Sequence, residues 1–244
     1  MKIAAISDIH GNLGALKAVL KDAAEQCADL IVNLGDICSG GLQPAETAEL
    51  LQGLALPTIT GNHERQVLTM APDAMGLSDR HAAQNLTGAD RAWFRSFPAT
   101  LRPLEGVLMV HGTQRSDLEY FLETVTEDGL RAATIEEIEE RARSSDASLI
   151  LCGHTHIPRQ VRLADGRLIV NPGSVGLPAY DDDRPFPHLV ETGSPHARYA
   201  IVTEDRDTWS AELRCVDYDW GEAARMALAN GRPDWARALT TGCV

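Results

Sequence analysis

The chain is short of aromatic residues, of basic charge and of long apolar runs, and each shortage removes a class of function. Phe, Trp and Tyr make up 5% of 244 residues, and Lys plus Arg number 22 against 35 Asp plus Glu, a formal net charge of −13. That balance argues against an extended nucleic-acid surface or an anionic-membrane surface, both of which need a basic patch. No apolar stretch reaches the ~18 residues of a membrane span. The opening run Ile3 to Ile6 meets Asp8 too soon for a signal peptide. The five cysteines form no Cys-x-x-Cys pair and are odd in number, which suits a reducing, cytoplasmic setting better than a disulfide framework or a thiolate zinc site. At 44% hydrophobic content this length supports one good core, so residues 1–244 are read as a single domain.

Histidine, by contrast, is plentiful, with eight in all, and it is the commonest metal ligand. The strongest pattern is a series of short apolar runs, each ending in a polar cluster. Ile3 to Ile6 leads into Asp8-Ile9-His10-Gly11-Asn12, Leu30 to Val32 into Gly35-Asp36, and Pro57 to Thr60 into Gly61-Asn62-His63-Glu64. Val107 to Val110 leads into His111-Gly112, Leu149 to Leu151 into Gly153-His154-Thr155-His156, and Leu168 to Val170 into Asn171-Pro172-Gly173. Such runs read as central strands covered on both faces. Helical periods follow Asn12, a candidate N-cap, and fill Pro44 to Leu54, Asp79 to Leu86, Asp90 to Phe97 and Thr134 to Arg143. Strand–helix alternation predicts an α/β fold with the polar clusters at the carboxyl edge of the sheet, where ligands bind.

Further along, Arg198 to Thr203 and Thr208 to Val216 read as a hairpin across the turn Glu204 to Asp207. Gly221 to Asn230 and Pro233 to Leu239 read as terminal helices docked by Trp220 and Trp235. Pro178 to His196, with four Pro and Asp181-Asp182-Asp183, reads as a long loop, either a lid or a dimer arm.

The convergent side chains are Asp8, His10, Asp36, Asn62, His63, His111, His154 and His156. Carboxylate, imidazole and amide donors together suit Mn, Fe, Zn, Ni or Co better than Ca. Seven donors, without His63, exceed the needs of one tetrahedral ion and suffice for two divalent transition metal ions if a carboxylate bridges.

In order and placement the blocks Asp8-x-His10, Gly35-Asp36, Gly61-Asn62-His63-Glu64, His111-Gly112 and Gly153-His154-Thr155-His156 resemble the five-block signature of the calcineurin-like metallophosphoesterases. The strand ending Asn171-Pro172-Gly173-Ser174-Val175-Gly176 resembles their small bacterial single-domain branch. The resemblance implies a layered β-sheet sandwich flanked by helices, with the metal site at the strand C-termini. It implies that Asp8, His10 and His156 hold one metal, that Asn62, His111 and His154 hold a second, and that Asp36 bridges them. Similar enzymes attack phosphorus in line with a hydroxide shared by the two ions, and His63 would protonate the leaving oxygen. The function implied is hydrolysis of a small phosphate ester: a monoester, a diester including cyclic nucleotides, or a dinucleoside polyphosphate. The partner is then a small phosphorylated substrate, with Glu64 and the long loop leaning toward a nucleotide. No membrane and no extended nucleic acid are expected, and self-association into a homo-oligomer is left open.

The chain also departs from its relatives. Protein serine/threonine phosphatases of the superfamily continue Gly-Asp to Asp-Arg-Gly, whereas Gly35-Asp36-Ile37-Cys38-Ser39-Gly40 carries no Arg, which argues against protein phosphatase activity. Glu64 reads either as a support for the site or as a solvated helix-start carboxylate. Asn12 reads as an N-cap or, with the helix amides, as a phosphate contact. Arg65, Arg115, Arg159 and Arg184 are candidates for meeting phosphate, and Tyr180, Phe186 and His188 for meeting an organic group of the substrate. A rival reading is a catalytically silent metal-binding scaffold, like the retromer subunit that resembles this superfamily but lacks the catalytic His; retention of His63 argues against it. A one-metal oxygenase would leave Asn62, His111 and one of His154 and His156 unemployed.

Overall fold

The structure, a computed structural model, describes residues 1–206 and 208–244. The chain opens with β1 (Lys2–Ile6), α1 (Leu13–Glu25), β2 (Leu30–Asn33) and α2 (Pro44–Leu54). Three short helices follow, α3 (Asn62–Thr69), α4 (Leu77–Asn85) and α5 (Gly88–Arg95), and then β3 (Thr100–Leu101) and β4 (Val107–Val110). The middle holds β5 (Glu123–Thr126), β6 (Gly129–Ala132), α6 (Ile135–Ala142), β7 (Leu149–Leu151), β8 (Arg159–Arg162) and β9 (Leu168–Asn171). The last part comprises β10 (Ala179–Asp182), β11 (His188–Glu191), β12 (Ala197–Asp205), β13 (Thr208–Val216), α7 (Trp220–Ala229) and α8 (Pro233–Thr241).

Two main sheets face each other, ordered β13-β12-β1-β2 and β3-β4-β7-β9-β8. The pleat explains why their central strands read as unbroken apolar runs. Along β1, Ile3 and Ala5 enter the core between the sheets, against Val107, Met109, Leu149 and Leu151. Ala4 and Ile6 point the other way, into the layer formed with α1, α2, α3, α4 and α5. The far face of the second sheet, including Leu108, Ile150 and Ile169, packs on Ile138 and Ala142 of α6. The result is a helix–sheet–sheet–helix sandwich, as expected of the α/β reading. β1 and β2 run parallel, as do β4, β7 and β9, so their carboxyl ends collect at one edge.

Local chemistry sets the helix starts. Asn12 Oδ1 accepts the Ala15 amide at 3.1 Å to cap α1, and Thr134 with Glu137 forms a capping box on α6. α7 and α8 pack around Leu42, Leu177 and Ala179, with Trp235 buried among them, while Trp220 lies half-buried against Tyr218.

Two expected elements differ. Pro57 to Thr60 forms only a single bridge, Thr58 to Asn33. Pro57 has no amide to donate, and the chain bends at Gly61 into α3 before a ladder can grow. The segment Pro178 to His196 contains the hairpin β10–β11, paired from Ala179↔Glu191 to Asp182↔His188. His188 and Val190 alternate inward with exposed Leu189 and Glu191, a period-2 pattern that the prolines and the Asp run mask in the sequence. Of the expected turn Glu204 to Asp207, Asp207 lies outside the described residues.

Candidate metal centre

Five of the eight convergent residues sit in left-handed backbone: Asp8 (φ 55°), His10 (52°), Asp36 (54°), His154 (70°) and His156 (57°). For non-glycine residues this costs of order 1–3 kcal/mol each and persists only where the surroundings over-determine it. Here cross-loop bonds do so: the amides of Asp8, His10 and Gly11 donate to the carbonyls of Gly35, Asp36 and Ile37 at 3.0, 3.0 and 2.8 Å. Because Ile9 and Thr155 are fully buried between their neighbours, Asp8 and His10, like His154 and His156, turn toward the shared edge. Gly61 lets Asp36 approach, since a Cβ there would lie 2.2 Å from Asp36 Oδ1.

The side chains collect in two adjoining groups, Asp8 with His10 and His156, and Asp36 with His111 and His154. His111 Nε2 lies 3.1 Å from Asp36 Oδ2 and 4.0 Å from Asp8 Oδ1, and 3.1 Å from Asn62 Oδ1, so the seven candidate donors form one constellation. The imidazoles are oriented from behind. Nδ1 of His10, His111 and His156 donates to the carbonyls of Ser39, Leu34 and Leu177 at 2.6, 2.7 and 2.6 Å. Each ring therefore presents Nε2 inward, the tautomer a metal requires. Nε2 of His10 and His156 then face each other at 3.0 Å, and Asp8 Oδ1 is buried without a hydrogen-bond partner. Facing lone pairs and an orphaned carboxylate oxygen are what divalent cations satisfy, so the donor set fits them.

The electrostatics agree. Burial, then the nearby His156 and His63, pulls His10 down to about 3, and burial with His111 does the same to His154, so both keep neutral nitrogens. Burial opposes charge on Asp8, but His156 and His111 hold it down at about 2. Burial would lower His111 too, yet Asp36 and Asp8 push it up to about 10: they hold a proton where a cation can take its place.

His63 stands at the rim. Its Nδ1 donates to Asp79 Oδ1 at 2.6 Å, its amide donates to Asp36 Oδ1 at 2.9 Å, and its side chain is 25% exposed. Burial lowers its pKa, but Asp36 and Asp79 outweigh this and raise it to about 9, which keeps the ring protonated. Glu64 is not a solvated helix-start carboxylate. It is buried and accepts the amides of Ile37, Asp36 and Gly61 at 2.7, 2.9 and 2.9 Å, a clamp on the loop that carries Asp36. Burial and then Asp36 raise its pKa to about 7.

Several side chains expected to touch substrate are engaged elsewhere, whereas Tyr180 and Arg184 line cavities beside the cluster. Asn12 is spent on its cap and on Gly176 O and Tyr218 Oη at 3.0 and 3.1 Å. Arg65 is bidentate to Asp117 at 2.6 and 3.0 Å. His188 is buried, bonded to Phe186 O and to Tyr120 Oη at 2.8 and 2.9 Å. Arg115 pairs with Glu119 and Glu140, and Arg159 turns back to Leu122 O. Each of these side chains is spent on partners inside the fold: carboxylates for Arg65 and Arg115, and carbonyl or tyrosine oxygens for Asn12, Arg159 and His188. A cavity of about 300 Å³ opens between the candidate ligand cluster and His63, Gln66, Tyr180, Arg232 and Trp235. Trp235 thus docks α8 and also borders the site, its ring 6.0 Å from that of His10. Gly40 admits it, because a Cβ there would meet the indole at 2.5 Å. Asp79 and Arg232 went unseen in the sequence and Trp235 was read only as a helix dock, since no local spacing ties them to the candidate ligand blocks.

A two-sheet sandwich with candidate metal ligands in loops along one edge is what the metallophosphoesterase class presents. The calcineurin-like phosphoesterase superfamily domain matches residues 1–193. The chain belongs to that superfamily and is a metal-dependent phosphoester hydrolase. It is 27% identical, over 96% of its length and 94% of the relative's, to an uncharacterized protein of Methanocaldococcus jannaschii. A metallophosphoesterase from Sphaerobacter thermophilus superposes with TM-score 0.78 at 26% identity, covering 99% of this chain and 100% of that one. A hypothetical protein from Pyrococcus horikoshii shares the fold with TM-score 0.77 at 19% identity, covering 99% and 98%. Among the described residues no helix is long and apolar enough to cross a membrane.

Proposed function

We propose that the protein hydrolyses a small phosphate ester with two divalent ions, one held by Asp8, His10 and His156, the other by Asn62, His111 and His154, with Asp36 shared. The observation that carries this reading is the pair of inward Nε2 atoms on His10 and His156 beside the orphaned Asp8 oxygen. When bound, such ions supply Lewis acidity that activates water and offsets charge building on the phosphoryl oxygens.

The chain's own residues do the rest. His63, with Nδ1 held by Asp79, keeps Nε2–H free to protonate the departing oxygen. The hydrogen bond its backbone amide donates to Asp36 ties that donor to the ligand cluster. Glu64 keeps the Asp36 loop in its left-handed turn. Two bound ions would invert the local field, so that an acidic chain of net charge −13 could accept a phosphate where its carboxylates gather. Presence of all seven donors and of His63 disfavours the silent scaffold.

Metal analysis followed by a hydrolysis panel with added Mn²⁺ tests the reading. The panel compares a chromogenic monoester, a chromogenic diester, cyclic nucleotides and diadenosine tetraphosphate. Turnover of at least one ester by protein carrying two ions per chain is expected. Two bound ions without turnover of any ester would favour the scaffold and sink the hydrolase.

A further inference from the structure

Beside the 300 Å³ cavity lies a second one of about 760 Å³. Gln66, Leu118, His154 and Asp182 border both, so the two are lobes of one groove that meet at a ligand of the metal centre. The lobes are unlike. His63 borders only the smaller, which Trp235 and Arg232 also line. The larger has apolar walls in Tyr120, Val125 and Pro185, and Arg184 at its edge. Among the described residues Arg184 makes no ion pair, while Arg141 beside it is taken up by the carbonyls of Phe121 and Glu123. The partition is hydrogen-bonded. Tyr120 Oη bonds Tyr180 Oη at 2.8 Å and His188 at 2.9 Å, and Tyr180 Oη donates to His154 O at 3.1 Å. The β10–β11 segment, expected as a long loop forming a lid or a dimer arm, is thus a hairpin that walls the groove.

In-line displacement fixes where the arms of a substrate go. The acid must reach the leaving oxygen, so the leaving arm lies in the lobe bordered by His63. A monoester has no other arm, and the larger lobe would serve nothing. We infer that the substrate is a phosphodiester, with the leaving arm in the His63 lobe and a ring-bearing, nucleoside-sized arm retained on phosphorus in the 760 Å³ lobe. The volume falls within the ~300–1,000 Å³ of small-molecule sites, and a free guanidinium such as that of Arg184 stacks on planar rings. In the step, a water oxygen bonds to phosphorus and the P–O bond to the leaving arm breaks. That oxygen keeps the electron pair and takes the His63 proton, and the attacking water's protons restore His63 and the solvent. The products are the free alcohol and the phosphomonoester of the retained arm.

This inference rests on the hydrolase reading, and three substrates with one leaving group separate the two. They are p-nitrophenyl phosphate, bis(p-nitrophenyl) phosphate and thymidine 5′-(p-nitrophenyl phosphate), which differ only in the retained arm. Wild-type kcat/KM should rise along this series, the last exceeding the first at least about tenfold. Val125→Trp, which fills the larger lobe, should lower that ratio at least about tenfold, and Arg184→Ala on the exposed edge should lower it about threefold. A ratio cancels any inactive fraction of protein, so poor folding of a variant does not mimic the result. A wild type that prefers the monoester, or a ratio untouched by both substitutions, overturns the diester assignment and leaves the hydrolase standing. No turnover of any of the three with any divalent ion overturns the hydrolase itself.

Discussion

Nε2 of His10 faces Nε2 of His156 across 3.0 Å, and the far nitrogen of each ring already donates to a backbone carbonyl. Two lone pairs so placed repel unless a cation joins them, and the fold holds them there by left-handed turns that cost energy. Removing metal should therefore lower stability. At a free ion concentration 100 times Kd, binding contributes about 2.7 kcal/mol, roughly 5–10 °C in Tm for a chain of this size. Melting curves with chelator and with added Mn²⁺ measure it, and a Tm indifferent to both would refute the metal assignment.

The His63–Asp79 pair separates proton donation from metal binding. His63→Ala should keep its metal content and lose at least about tenfold in kcat. Asp79→Asn, which keeps a hydrogen-bond acceptor for Nδ1 but loses the charge, should lose less. Both deficits should shrink when the leaving group is a good one, such as p-nitrophenolate, because it needs little protonation. Loss of metal from His63→Ala would show that the role is wrongly assigned.

Glu64 satisfies three amides at once. Glu64→Ala leaves them buried without an acceptor, at a cost of about 3 kcal/mol, and should weaken metal affinity through the Asp36 loop. Glu64→Gln retains one acceptor and should lie between. Calorimetric melting and metal titration read both effects, and a variant that melts within about a degree of the parent would argue that water replaces the clamp.

Away from the site, Asp22 joins α1 to the sheet by accepting from Arg214 at 2.8 and 3.2 Å and from Tyr199 Oη. Arg214, working against partial burial and helped by Tyr199, lowers the Asp22 pKa below its ordinary 3.8. A depressed carboxylate stabilises the fold above its unfolded pKa, and that contribution disappears as pH falls through the folded value. Asp22→Asn should accordingly melt lower than the parent at neutral pH, with the gap closing in acid below the usual carboxylate range. A gap that stays constant with pH would assign the loss to hydrogen bonding alone.

Most of the side chains in the candidate metal centre could be brought together from the chain because they follow strands whose apolar runs announce them: Ile3 to Ile6 before Asp8, Leu149 to Leu151 before His154. Buried parallel strands are apolar on both faces, and their carboxyl ends share one edge, so local patterns sufficed to bring distant residues together. The helix cap at Asn12 was legible because a short polar side chain acts on an amide three residues away.

What faces the ligands from other elements was decided only in three dimensions. Whether Arg65 meets phosphate depends on Asp117 lying nearer, and His188 is lost to Tyr120, a residue 68 positions away. Asp79 reaches His63 from another helix, and Trp235 reaches His10 from the last one. Periodicity and spacing report a residue's neighbours along the chain and the face it shows. Ion pairs, hydrogen bonds and cavity walls are settled by which side chains arrive first in space, and that order is a property of the packed sheets and helices.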